Sequence, residues 1–165
     1  MIVMLPVFGV LLMGFFYFNM GPQNTSTYTG PRKVVIEKRN GEYRFYKDGK
    51  PFIVKGGSGV DHIRELSESG GNTIMCWDTS KLKSVFREAA RYNVYVIIGL
   101  DIPPVDTGFY DNKKNVADLY NAFMAIVSRY KDNPCLLAWC LGNEVEFPLL
   151  LKSTPFCEAY NKILD

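Results

Sequence analysis

The chain has 165 residues, 47% of them hydrophobic and 22% charged, and 19 Lys and Arg against 17 Asp and Glu leave a formal net charge of +2. That hydrophobic share excludes a disordered chain, and a near-neutral balance without a Lys/Arg run removes the electrostatic basis for a nucleic-acid partner. The length suits one globular domain, or part of one, with a buried core, and an aromatic share of 14% leaves rings for lining a cleft.

The amino end differs from the rest. No charged side chain occurs from Met1 to Gly30, and Ile2 to Phe18 is almost wholly apolar, broken by Pro6, Gly9 and Gly14. Residues 1–18 therefore read as a signal peptide or membrane anchor, and residues 19–31 as a polar linker. A buried amino-terminal element of the fold is the alternative. No small-x-small cleavage site and no lipid-attachment Cys follows Phe18. The expected localisation is exported: periplasmic, extracellular or membrane-anchored, with a possible tether through residues 1–18. Asn24-Thr25-Ser26 fits the glycosylation sequon.

Next comes a β-rich lead-in over residues 32–50. Lys33 to Arg39 and Glu42 to Tyr46 flank Asn40-Gly41, the dipeptide that supplies two positive φ angles to a tight hairpin. A second turn at Lys47-Asp48-Gly49-Lys50-Pro51 leads into Phe52-Ile53-Val54-Lys55, which reads as a short strand ended by Gly56-Gly57-Ser58-Gly59. Val60, Ile63 and Leu66 then have helical spacing up to Gly70-Gly71, and Asn72 to Trp77 reads as a strand. Leu82, Val85, Phe86, Ala89 and Ala90 form one apolar helix face, which Asn93 can close in a left-handed conformation.

Val94 to Leu100 is an unbroken apolar run, the pattern of a parallel strand covered on both faces. The longest helix stripe comes after it, with Val116, Leu119, Tyr120, Phe123, Ile126, Val127 and Tyr130, and ends at Asp132-Asn133-Pro134. Leu136 to Gly142 is the fourth buried strand, and Phe156 to Leu164 begins a last helix. Four strand-then-helix steps imply an α/β fold with a parallel sheet, either open or curled into a barrel. A full eight-unit barrel takes ~250 residues, about twice the length of chain beyond the lead-in.

Cys76, Cys135, Cys140 and Cys157 would pair in three ways if all were bridged, and Cys76 and Cys140, inside apolar runs, read as small core side chains. No Cys-x-x-Cys or His/Cys cluster points to a metal, and no cofactor is expected. The single His62 reads as a surface or helix-start residue rather than a base.

In parallel α/β folds, ligands meet the carboxyl ends of the strands. The residues there are Gly56 to Gly59, Trp77-Asp78, Asp101 and Asn143-Glu144. The last pair leaves a buried strand directly, where an ionised carboxylate is costly without a partner or a purpose. Glu144 shares its strand side with the small residues Ala138, Cys140 and Gly142, while Leu137, Trp139 and Leu141 share the other. A carboxyl held protonated by apolar surroundings can donate a proton to a leaving oxygen and then act as base on water. On spacing alone, a helix-start carboxylate favoured by the dipole is the competing reading. Trp77 reads as a stacking platform or a core residue. Asp101 opens the long connection Ile102 to Lys113, of a length that is often functional, although Pro103-Pro104 could simply steer the chain.

Four segments carry a resemblance: Lys47-Asp48-Gly49-Lys50-Pro51-Phe52-Ile53-Val54-Lys55-Gly56, Gly71-Asn72-Thr73-Ile74, Tyr130-Lys131-Asp132-Asn133-Pro134 and Trp139-Cys140-Leu141-Gly142-Asn143-Glu144. In this order they resemble the catalytic barrel of glycoside hydrolase family 2 and its relatives, over about Glu42 to Phe147. The resemblance implies a partial (β/α)8 TIM barrel of about four βα units, with residues 51–165 as its amino-terminal half behind the hairpin of 32–50. It implies hydrolysis of O-glycosidic bonds in an oligosaccharide or polysaccharide by retaining double displacement. Glu144 would be the general acid/base, Asn143 would contact the sugar's 2-hydroxyl, and Trp77 and Asp101 are further substrate-binding candidates. Two departures stand out. Met75 occupies the place where relatives usually carry Arg on the second strand, and the family's nucleophilic Glu, late in the barrel, has no counterpart in this chain. A non-catalytic carbohydrate-binding or scaffold remnant is the alternative function. An open-sheet interaction domain tethered to a membrane is a third, and oligomeric state stays open.

Overall fold

The computed structural model describes residues 34–105, 108–145 and 154–165, so the leader and linker expected over 1–31 lie outside the described residues. Asn40 and Gly41 both adopt positive φ, 52° and 85°. Their turn sets β1 (Val34–Arg39) antiparallel to β2 (Glu42–Lys47), in register from Val34↔Lys47 to Arg39↔Glu42. Asp48 and Gly49 repeat the device at φ 49° and 76° and fold β3 (Lys50–Pro51) back onto β2. The lead-in is thus a three-stranded antiparallel sheet and not a lone hairpin.

Beyond Pro51, four strands pair side by side in chain order, all parallel: β4 (Gly56–Ser58), β5 (Thr73–Cys76), β6 (Tyr95–Leu100) and β7 (Leu136–Leu141). A helix follows each: α1 (Ile63–Glu68), α2 (Leu82–Tyr92), α3 (Lys113–Tyr130) and α4 (Thr154–Leu164). Their ends obey local chemistry. Asn93 closes α2 at φ 56°, and the Asn112 side chain accepts the Lys114 N–H at 2.9 Å to cap α3. His62 stands exposed at the start of α1, as its position suggested.

One expectation is corrected. The first parallel strand forms on the glycines, Gly56↔Thr73 to Ser58↔Met75, and not on Phe52 to Lys55. Asn72 is the reason. Its side-chain oxygen accepts the Lys55 N–H at 2.8 Å, its amide donates to the Ile53 carbonyl at 2.8 Å, and its backbone N–H donates to the Lys55 carbonyl at 2.7 Å. A side chain thereby takes backbone groups that a ladder would have used. Ladder pairing begins where side chains vanish, because a Cβ on Gly56 would lie 1.8 Å from the Thr73 carbonyl oxygen.

The core lies between the parallel sheet and its helices. Ile74 and Cys76 of β5 and Val96, Ile98 and Leu100 of β6 are buried against Leu82, Val85, Phe86 and Ala89 of α2, Val116 and Phe123 of α3, and Phe156 and Ala159 of α4. The alternate strand residues face the other way, onto the inner face of the sheet. The antiparallel sheet meets the parallel one at Tyr95, the first residue of β6. Phe52 packs edge-on to its ring at 5.4 Å, and the Lys47 ammonium sits 4.4 Å from the ring centroid. Burial pulls the Lys47 pKa down, but hydrogen bonds to Asp48 and Tyr95 outweigh it and hold the pKa above its ordinary value. The lead-in therefore occupies the amino ends of the strands and leaves their carboxyl ends to other residues.

The contact at Gly56 predicts a contrast between neighbours. Gly56→Ala forces backbone against backbone and lowers unfolding free energy by about 3 kcal/mol, measured by urea denaturation. Gly57→Ala, with nothing within 4 Å of the added carbon, changes it by less than about 1 kcal/mol.

Candidate active site

Register fixes the faces of β6 and β7. Ile97 pairs with Ala138, Ile98 with Trp139, Gly99 with Cys140 and Leu100 with Leu141. Ile98 and Leu100 are buried in the core, and Trp139 and Leu141 pack against it. Ala138 and Cys140 accordingly share the inner face with Ile97 and Gly99, the division of small from bulky residues expected for β7. Cys140 is therefore half-buried on the inner face and is not a core residue, whereas Cys76 is fully buried behind the sheet. The four cysteines are free. Burial pushes the thiols of Cys76, Cys135 and Cys140 above the ordinary range, which disfavours the thiolate.

β7 ends at Gly142. Its N–H donates to the Leu100 carbonyl at 2.8 Å, tying the end of β7 to the end of β6. Its φ is 71°, and a Cβ there would lie 2.4 Å from Val145 Cγ1 and 2.7 Å from Ile102 Cγ1, so glycine is required twice over. The chain then turns out of the sheet. Glu144 adopts φ 51°, a left-handed conformation that costs a side-chain-bearing residue roughly 1–2 kcal/mol. Asn143 and Glu144 end up exposed. The expected enclosure of the Glu144 carboxyl by apolar neighbours does not hold, because Gly142 delivers it to the rim and not into the strand's own burial.

That rim borders a hollow of about 690 Å³ at the carboxyl ends of β6 and β7, lined by Asp101, Asn143 and Glu144 together. The long connection after β6 supplies Pro103, Pro104 and Phe109, and α3 supplies Asn115 and Asp118. Asp118 is also held by Lys114 one helical turn back, at 2.6 Å. Three acids, Asp101, Asp118 and Glu144, thus line one hollow, and the sequence places two of them, Asp101 and Glu144, at strand ends. Among the described residues, no group of three or more His, Cys, Asp and Glu could hold a metal ion.

The connection is anchored where its prolines lie. Ile102 and Tyr110 are buried in the core, Tyr110 packs edge-on against Phe156 at 5.1 Å, and its hydroxyl donates to the Pro103 carbonyl. Burial, with the Asp101 carboxylate adding to it, pushes the Tyr110 phenol up to about 12.

Trp77 lies apart from the hollow. A Cβ on Gly99 would fall 2.1 Å from Trp77 Cε3, 2.3 Å from Cδ2 and 2.6 Å from Cζ3, so the indole covers Gly99 on the inner face. Met75 precedes it on that face, half-buried and paired with Ile97. Sequence reasoning therefore found Asp101, Asn143 and Glu144, which the fold brings together, and Trp77, which it does not. It missed Asn115 and Asp118. Their spacing of three residues in the first turns of α3, just after a long connection, was the available signal.

No protein-family model matches the sequence, and no curated protein matches it. Solved structures do. The family 5 glycoside hydrolase cellulase from an Icelandic hot spring isolate aligns with a TM-score of 0.54 at 15% identity, over 81% of this chain and 49% of the cellulase. The exo-chitosanase of Amycolatopsis orientalis gives 0.56 at 16% identity, over 79% and 17%. The endo-1,4-beta-mannanase of Rhizomucor miehei gives 0.50 at 16%, over 61% and 46%. The chain spans about half, or less, of the length of these structures. Its four-stranded parallel sheet backed by helices is a partial (β/α)8 barrel, and these structural neighbours are glycoside hydrolases.

The Tyr110 anchor is testable. Tyr110→Phe loses one buried hydrogen bond and lowers stability at neutral pH by about 1 kcal/mol. Because the folded-state pKa is raised, the wild type loses stability as pH rises from about 10 toward 12, where the unfolded chain ionises first. Denaturation midpoints across that range converge for wild type and variant.

Proposed function

We propose that this chain forms part of a retaining glycoside hydrolase of family 2 or a close relative, acting on O-glycosidic bonds of an oligosaccharide or polysaccharide. The observation that carries the reading is the delivery of Asn143 and Glu144 from the end of a parallel strand into a hollow that they share with Asp101.

In this reading Glu144 protonates the departing glycosidic oxygen and, in the second half of the reaction, takes a proton from the attacking water. Its place on the rim suits contact with a leaving group that enters from solvent. Substrate filling the hollow excludes water and strengthens each polar contact. Asn143, next to it, presents a carboxamide to the sugar's 2-hydroxyl, and Asp101 accepts from hydroxyls of the same ring. Trp77 offers an apolar surface to a neighbouring sugar. The nucleophilic carboxylate of the double displacement is assigned to no residue of this chain. The apolar run at 1–18 supports an exported or membrane-anchored location.

Met75 favours a second reading, a carbohydrate-binding module without turnover. It puts a thioether on the inner face where the resemblance expects a cation that would order the sugar or the nucleophile.

An aryl-glycoside assay of a longer product, one that carries the nucleophile-bearing half of the barrel as well, separates the two. Under the catalytic reading, Glu144→Gln lowers aglycone release by about 10²–10⁴-fold with oligosaccharide binding retained. Unchanged turnover in that variant overturns the acid/base role. A wild type that retains oligosaccharide but releases no reducing ends selects the binding module.

A further inference from the structure

The start of α3 breaks a local rule. The helix dipole makes that end positive and favours acids there, yet α3 opens on Lys113-Lys114 and has no acid in its first turn. Lys114 also precedes its partner Asp118 by four residues, the weaker order for an ion pair on a helix. Helix stability is thus a poor reason for the pair, and the hollow supplies a better one. Asp118 lines it from the same helix face as Asn115, three residues earlier. The Lys114 ammonium holds Asp118 Oδ2 at 2.6 Å, while Oδ1 has no hydrogen-bond partner among the described residues, and neither has the carboxamide of half-buried Asn115. This stretch of helix is itself held in place, since the Asn112 side chain accepts the Lys114 N–H at 2.9 Å and Tyr110, just before it, is buried in the core. Across the hollow stand Asp101, Asn143 and Glu144, and among the described residues no Lys or Arg lines it.

We propose that α3 forms a second binding wall of the hollow, where Asp118 and Asn115 bond hydroxyls of an uncharged saccharide and Lys114, which does not line the hollow, is a positioning residue that fixes the Asp118 carboxylate. This rests on the carbohydrate reading given above and extends it from the strand ends to a helix. A carboxylate already held through one oxygen offers the other in a set direction, and a hydroxyl donating to it forms a charge-assisted bond. A saccharide that carries its own carboxylates meets three acids without a compensating cation, and that repulsion rejects it.

The test is calorimetric titration of the longer product used for the aryl-glycoside assay, in a Glu144→Gln background that stops turnover. The probes are cellotetraose, mannotetraose and tetramannuronate, the last differing from mannotetraose by a carboxylate on each ring. For the tighter of the two neutral probes, Asp118→Ala is expected to weaken binding about 10-fold. Lys114→Met weakens it about threefold and Lys114→Arg keeps it within about twofold, whereas in an Asp118→Ala background Lys114→Met changes it by less than about twofold, because Lys114 acts through Asp118. Thermal midpoints of Lys114→Met stay level or rise, since a cation leaves the helix start. Tetramannuronate binds at least about 10-fold more weakly than that neutral probe. Full affinity in Asp118→Ala, a lowered midpoint with unchanged affinity in Lys114→Met, an equal loss from Lys114→Met with and without Asp118, or tetramannuronate binding as tightly as the neutral probes overturns the second wall alone. Failure of all three probes to bind either this background or the wild type overturns the carbohydrate reading, and the wall with it.

Discussion

One backbone hydrogen bond organises the candidate site. The Gly142 N–H reaches the Leu100 carbonyl at 2.8 Å, so the last paired residues of β6 and β7 end level with each other. The segments leaving the two strands therefore emerge at the same height: Asp101 and the proline-bearing connection from one, Asn143 and Glu144 from the other. Glycine is the only residue that satisfies this junction, since its φ is positive and Ile102 and Val145 crowd the space a side chain would fill. The hollow is a by-product of that alignment. Its wall is completed by Phe109 and the first turns of α3, which Tyr110 fastens to the core from behind.

The two faces of the sheet divide the labour. Behind it, branched and aromatic side chains from four helices close a packed core of the usual kind. On the inner face β6 shrinks toward its carboxyl end, from Ile97 to Gly99, beside the small Ala138 and Cys140 of β7. Small residues make that face shallow, and the Trp77 ring is laid across it over Gly99. Neighbouring strands thus present a packed surface on one side and an accommodating one on the other.

Much of this was legible in the sequence, and the reasons are specific. The apolar runs ending at Leu100 and Leu141 located Asp101, Asn143 and Glu144, because a buried parallel strand leaves few places for a polar residue except its end. Alternation along β7 sorted Ala138 and Cys140 from Trp139 and Leu141 without reference to a pairing partner, but it missed the register shift at Val96/Ile97 that sets Leu136, and not Leu137, against the core with them. Asn40-Gly41 announced its turn by the conformations the two residues tolerate. The strand expected at Phe52 to Lys55 failed because hydrophobic alternation does not register a side chain such as Asn72 competing for backbone groups. Asn115 and Asp118 escaped because a helix residue joins a site only through the helix's tilt over the sheet. The seating of Trp77 on Gly99 depends on register between two strands that a whole helix separates along the chain, which no local pattern encodes.

Glu144 occupies a backbone conformation that glycine or asparagine would hold with less strain. Robustness and acidity therefore pull against each other at this one position. A random library sorted on heat tolerance alone is therefore expected to replace the carboxyl group here with glycine or asparagine.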